Sequence, residues 1–142
     1  MEIDIIGQAY TSAEKSSIGS RSHHNHSGFP SPADSYIEPS LDLNQQLIRH
    51  PSATFMMRVQ GDGMVNAGIQ EGDLLVVDRA LQPISGKVVI AAVNGELTVK
   101  RLVQHSGLFW LQPDNPNYHS IPLNDENECF VWGVVAHVIH TL

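Results

Sequence analysis

Between residues 88 and 100 the sequence leaves little freedom of fold. The apolar run Val88-Val89-Ile90-Ala91-Ala92-Val93 is followed by Asn94-Gly95 and then by Glu96-Leu97-Thr98-Val99-Lys100. Asn-Gly tolerates two successive positive φ angles, so it closes a two-residue type I′ hairpin whose twist matches the strands it joins. Lys100 therefore stands on a strand. Alternation puts Leu97 and Val99 on one face and Glu96, Thr98 and Lys100 on the other, which by itself predicts a hydrated Lys100.

The rest of the chain after residue 53 carries the same kind of signal. Ala53 to Val59 reads as a strand, and Glu71-Gly72-Asp73 leads into a second at Leu74-Leu75-Val76-Val77. Gln82 to Gly86 turns the chain ahead of the hairpin, and His105-Ser106-Gly107 turns it again into Leu108-Phe109-Trp110-Leu111. Asp114 to Tyr118 is a loop, and Phe130 to Ile139 is a closing strand relieved at Gly133. Before this region Pro30, Pro32 and Pro39 exclude a long helix. Asp42, with Gln45 three residues on, offers an N-cap, and Leu43, Leu47 and Ile48 give an apolar face to one short helix over 42–49, ended by Pro51. The expectation is a mainly β domain of short antiparallel strands, partly closed, with one short helix.

A chain of 142 residues suits one domain with its own core, and 42% hydrophobic with 16% charged residues is ordinary for a globular protein. No run approaches the eighteen or so apolar residues of a membrane span. The first residues, Met1-Glu2-Ile3-Asp4-Ile5-Ile6, lack the basic flank and apolar centre of a secretion signal, so a cytoplasmic location is expected. A net charge of −7 argues against direct DNA binding, which calls for a basic face. Cys129 is the sole cysteine, excludes an internal disulfide, and sits among Phe130, Val131 and Trp132 in a packing context.

Residues 1–28 read as a flexible arm outside the core. After Ile3, Ile5 and Ile6, the run from Thr11 to Ser22 has too little apolar surface to offset chain entropy unless it docks on something. His23, His24 and His26 could ligate a metal, but no carboxylate or cysteine supplements them, and no metal or other cofactor is expected.

The turn Gly61-Asp62-Gly63-Met64 is at its simplest a glycine-rich bend between two strands. Its company gives it more meaning. Gly28-Phe29-Pro30-Ser31-Pro32-Ala33, Leu41-Asp42-Leu43-Asn44-Gln45, His50-Pro51-Ser52-Ala53-Thr54, Gly61-Asp62-x-Met64, Glu71 to Asp78, and Val89 to Lys100 occur in one order over most of the chain. In these motifs the sequence resembles the LexA/UmuD family of self-cleaving serine peptidases, and within it the UmuD-like proteins of the SOS response. The resemblance implies the family's β-rich peptidase domain over 29–142, preceded by an arm that the domain cuts off.

It also implies roles for residues. In the family the turn reads Gly-Asp-Ser-Met with serine as nucleophile; here position 63 is Gly63. Lys100 matches the general base, and the backbone N–H groups of Gly63 and Met64 match the oxyanion donors. A free lysine, with a pKa of about 10.4, must be desolvated to accept a proton near neutrality, which conflicts with a hydrated face. The cleaved bond maps between Ser27 and Gly28; Ser27 is small, though it is not the family's usual alanine or cysteine. Partners implied are a second copy in a homodimer, a RecA/single-stranded DNA filament that stimulates cleavage, and a Y-family, UmuC-like translesion polymerase. Without a hydroxyl at 63, self-cleavage by this chain is expected to be negligible. Three readings compete. A LexA-type repressor needs a helix-turn-helix that residues 1–27 are too polar to supply. A signal-peptidase relative needs a membrane anchor. A regulatory binding module of the same fold needs no nucleophile.

Overall fold

The computed structural model describes residues 2–8 and 40–142. The polar run of the arm, His23, His24, His26, Ser27 and Gly28 lie outside the described residues.

The strands are β1 (Glu2–Gln8), β2 (Thr54–Gln60), β3 (Leu74–Asp78), β4 (Val88–Val93), β5 (Glu96–His105), β6 (Leu108–Gln112), β7 (Ile121–Pro122) and β8 (Cys129–Ile139). They form one antiparallel sheet of eight strands in the order β1-β2-β3-β8-β4-β5-β6-β7. The sheet curls strongly, because β1 at its edge comes within 8 Å, Cα to Cα, of β5 although four strands lie between them in the ladder. The hairpin forms as its turn residues require: Asn94 and Gly95 take φ of 51° and 85°, and Val93 pairs with Glu96.

Two apolar clusters fill the curl. The first joins Met57, Val59, Met64, Ile69, Leu75, Val77, Ile90 and Val99, and the second joins Val89, Ala91, Leu102, Leu111 and Val134. Adjacent residues of β4, and Val99 and Leu102 of β5, enter different clusters, so both faces of these strands are covered. That explains why residues 88–93 are apolar without interruption, as a strand buried on both sides should be.

The single α-helix among the described residues, α1 (Leu43–Leu47), is shorter than the 42–49 expected. Asp42 caps it as read, its carboxylate accepting the Asn44 N–H at 2.9 Å. No helix residue is buried and Leu43 is 62% exposed, so packing does little to extend it. In β8, Gly133 is where the sheet needs a residue without a side chain: a Cβ there would lie 2.9 Å from Val77 Cγ1.

The start of the chain departs from the sequence reading. Residues 2–8 do not stand apart from the domain; they form β1, paired with β2 from Glu2 opposite Gln60 to Gln8 opposite Phe55. Ile3 packs against the first cluster. The physical reason is the outer edge of β2, whose backbone groups bond to any extended neighbour, and the alternating Ile3 and Ile5 suit that role.

Candidate active site

Lys100 is 7% exposed, not hydrated. It lies opposite Val89, and Val89 lies opposite Val134, so the three form one row across β5, β4 and β8. Alternation misplaced it because it considers one strand at a time, whereas the face shared by Lys100 and Leu102 is roofed by the second cluster. The ammonium donates to Thr98 Oγ1 at 2.7 Å and to the Val99 carbonyl at 3.3 Å. Among the described residues Arg101 pairs with Asp114, and His50 and His140 hydrogen-bond Asp78 and Asp73, but no carboxylate lies against Lys100. A cation buried without a counter-ion loses hydration and gains no Coulomb compensation. Desolvation accordingly lowers the Lys100 pKa below the ordinary lysine value.

The turn at 61–64 is held from both sides. Gly61 supplies the positive φ, 91°, that a bulkier residue would resist. Gly63 is buried and is not among the described glycines with positive φ. Met64 is fully buried in the first cluster and fastens the end of the turn, from which a 3-10 turn, Val65–Ala67, runs to Gly68.

The loop after β6 forms the other side. Asn115, 6% exposed, donates from Nδ2 to the Asp62 carbonyl at 2.9 Å, while its Oδ1 accepts the Asn117 N–H at 2.9 Å. The Tyr118 hydroxyl donates to Asp62 Oδ1 at 2.7 Å. That bond, with the charge of Asp62, holds the Tyr118 phenol above its usual pKa. The Asp114 carbonyl accepts the Asn66 N–H at 2.9 Å, and the Asp114 N–H points to Met64 Sδ at 3.2 Å. Its carboxylate takes two bonds from Arg101, Nε at 3.0 Å and Nη2 at 2.7 Å. A continuous bonded path thus runs from the turn through Asp114 to Arg101, the neighbour of Lys100 on β5.

The path joins the turn to the strand, not to the lysine side chain. Lys100 shares its face with Leu102, whereas Met64 packs with Val99 on the other. An open depression of about 530 Å³ beside the turn is lined by Gly61, Asp62, Val65, Gln70 and Glu71, and Lys100 is not among its lining residues. Ser85, one serine that could be thought to replace the missing hydroxyl, accepts the Gln104 N–H at 2.9 Å and braces β5 instead. Sequence reasoning took residues 114–118 for a plain loop. The Asn115-Pro116-Asn117 pattern does signal an Asx turn, but nothing local shows that the Asn115 amide reaches back to Asp62.

Among the described residues no group of three histidine, cysteine, aspartate or glutamate side chains could hold a metal, and no helix is long and apolar enough to cross a membrane.

A family model described as Peptidase S24-like matches residues 23–136. Protein ImpA of Escherichia coli is 51% identical over 115 residues, covering 80% of this chain and 77% of that protein. Protein MucA of Escherichia coli is 44% identical over 112 residues, covering 78% and 75%. LexA repressor 2 of Pseudomonas putida is 35% identical over 108 residues, 72% of this chain but 54% of the repressor. The matched span holds the glycine turn, the buried lysine and the loop that clamps them into one framework, and the chain belongs to the Peptidase S24-like family of serine peptidases.

Proposed function

We propose that this chain is a UmuD-like SOS response protein whose peptidase site keeps its base and has lost its nucleophile. The observation that carries the proposal is Lys100: dry, without a counter-ion among the described residues and held by Thr98 Oγ1, it is prepared to accept a proton in a family that cleaves amides. In a serine-bearing relative the hydroxyl at position 63 gives its proton to the neutral amine of this lysine and attacks the carbonyl of the residue before the glycine. Amides of the turn stabilise the oxyanion, the new N-terminus departs with the proton, and water then hydrolyses the acyl ester, freeing residues 1–27 and restoring the hydroxyl. Here Gly63 offers no oxygen, and loss of the nucleophile from such a unit costs about a million-fold in rate. The arm then stays attached unless another copy or an intact relative cuts between Ser27 and Gly28. The partners that fit this role are a second copy, a RecA filament and a Y-family polymerase, with the chain acting through proteins rather than on DNA directly.

The test is restoration. Gly63→Ser needs no positive φ at that position. The restored chain is expected to release residues 1–27, with a rate that climbs as pH rises until Lys100 is neutral and with stimulation by a RecA/single-stranded DNA filament. The unaltered chain should stay whole alone and be trimmed when mixed with a serine-bearing relative. A Gly63→Ser chain that stays intact at alkaline pH with the filament present would favour the second reading, a regulatory binding module of the same fold, for which Gly63 itself speaks.

A further inference from the structure

Lys100 is a base with no hydroxyl to deprotonate, because position 63 carries no side chain. Its nitrogen still has a chemistry of its own. Lys100 stands opposite Val89, which stands opposite Val134, and Thr98, two residues back on the same face of β5, stands opposite Ala91. Val89, Ala91, Val134 and Leu102 are all buried, so the walls around the stem are apolar. Among the described residues no carboxylate lies against the amine. Thr98, whose Oγ1 accepts from the amine at 2.7 Å, is itself only half-buried, so the nitrogen ends at the margin of the apolar slot and not at its floor. Such surroundings disfavour the ammonium and favour the neutral amine, which is the form that attacks carbonyl carbon.

The same surroundings choose the electrophile. A slot that penalises the ammonium penalises every charged product. Carbon dioxide would turn the amine into a carbamate anion, whereas an aldehyde turns it into an imine that can stay neutral. Lys100 is 7% exposed, so the aldehyde has to be small, and it has to be uncharged to enter between apolar walls.

We propose that Lys100 is a site of covalent modification by small uncharged aldehydes, held as an imine on its side-chain nitrogen. The nitrogen adds to the carbonyl carbon, the carbonyl oxygen collects both hydrogens of the amine and leaves as water, and a C=N bond replaces the C=O bond. No oxidant or reductant is consumed. The Thr98 hydroxyl, bonded to that nitrogen, stands where it can relay the protons. The site rests on the dryness of the lysine and not on the function proposed above.

The experiment uses the full chain with Gly63 in place. It is incubated near neutral pH with acetaldehyde and cyanoborohydride, which reduces the imine to a stable ethylamine, and mass spectrometry of its peptides follows Lys100 against Lys87, an exposed lysine. Each unit by which burial lowers a lysine pKa multiplies its neutral fraction by about ten near neutrality. Lys100 is expected to be ethylated at least about tenfold faster than Lys87, to lose that lead in denaturing urea, and to show no lead with pyridoxal 5′-phosphate, a bulky anionic aldehyde. A Lys100 that reacts no faster than Lys87 overturns the site. A Lys100 whose rate climbs with urea below the unfolding transition overturns it as well, because the aldehyde would then be meeting the opened chain. An equal lead with pyridoxal 5′-phosphate overturns the assignment to small uncharged aldehydes. None of these results depends on whether Gly63→Ser restores cleavage.

Discussion

Gly133→Ala is a one-carbon change whose cost follows from the packing of β8 on β3. The added Cβ would lie 2.9 Å from Val77 Cγ1 and 3.4 Å from Arg79 Cγ. The nearer contact is about 0.6 Å inside the 3.5–4.0 Å range in which carbon atoms attract. Arg79 can move, but Val77 cannot easily. It is wholly buried and β-branched, and it sits beside a register slip between β3 and β8. Overpacking of this sort costs about 1–3 kcal/mol. Alanine also restricts the unfolded chain relative to glycine, which offsets about 0.4–1 kcal/mol. The expected net loss is about 1–2 kcal/mol, a fall in Tm of about 3–8 °C for a chain of this length. Urea unfolding of the wild type, Gly133→Ala, Val77→Ala and the double variant forms a cycle. The cost of the added methyl should largely vanish in the Val77→Ala background, where the obstructing Cγ1 is absent. A cost that is the same in both backgrounds, or a Gly133→Ala protein as stable as the wild type, would refute the packing argument.

Three further substitutions probe the candidate site. Lys100→Met removes a buried charge while keeping the apolar stem, so near neutral pH the variant should be the more stable protein. Because desolvation lowers the folded-state pKa, the unfolded chain binds more protons than the folded one between that value and about 10.4, and wild-type stability rises with pH across the window. Each unit of depression corresponds to about 1.4 kcal/mol, and the advantage of Lys100→Met should shrink by that much as the window is crossed. Chemical denaturation at several alkaline pH values measures it, and a constant gap between the two proteins would contradict a dry lysine. Asn115→Ala strips the bond to the Asp62 carbonyl and the Asn117 contact and should cost about 1–3 kcal/mol, with faster amide exchange over 61–66. Tyr118→Phe, which loses one exposed hydroxyl bond, should change stability little. An Asn115→Ala effect no larger than that of Tyr118→Phe would show that the clamp is not centred on the buried amide.

What the sequence disclosed was what neighbouring residues decide among themselves. Asn94-Gly95 specifies its hairpin through two φ angles, Asp42 caps α1 through a bond two residues long, and Gly133 marked the strand that had to be narrow there. The surroundings of Lys100 were hidden because they are assembled from Leu102, Leu111 and Val134 on three strands, and the pattern of β5 carries only its own half of that information. Asn115 and Asp114 were missed for a similar reason, since their partners Asp62, Met64 and Arg101 are distant in the chain. β1 escaped because a polar surrounding sequence outweighed three isoleucines, and an edge strand acquires its order from the neighbour that offers it bonds.

β8, the strand latest in sequence among the described residues, is inserted at the middle of the sheet, between β3 and β4. Take β8 away and the ladder falls into two half-sheets, β1-β2-β3 and β4-β5-β6-β7, with bare inner margins and no hydrogen-bonded member in common. Val134, which completes the row over Lys100, goes with it. A single strand thus both closes the sheet and keeps the amine dry, so damage to β8 should split the fold and rewet the lysine together.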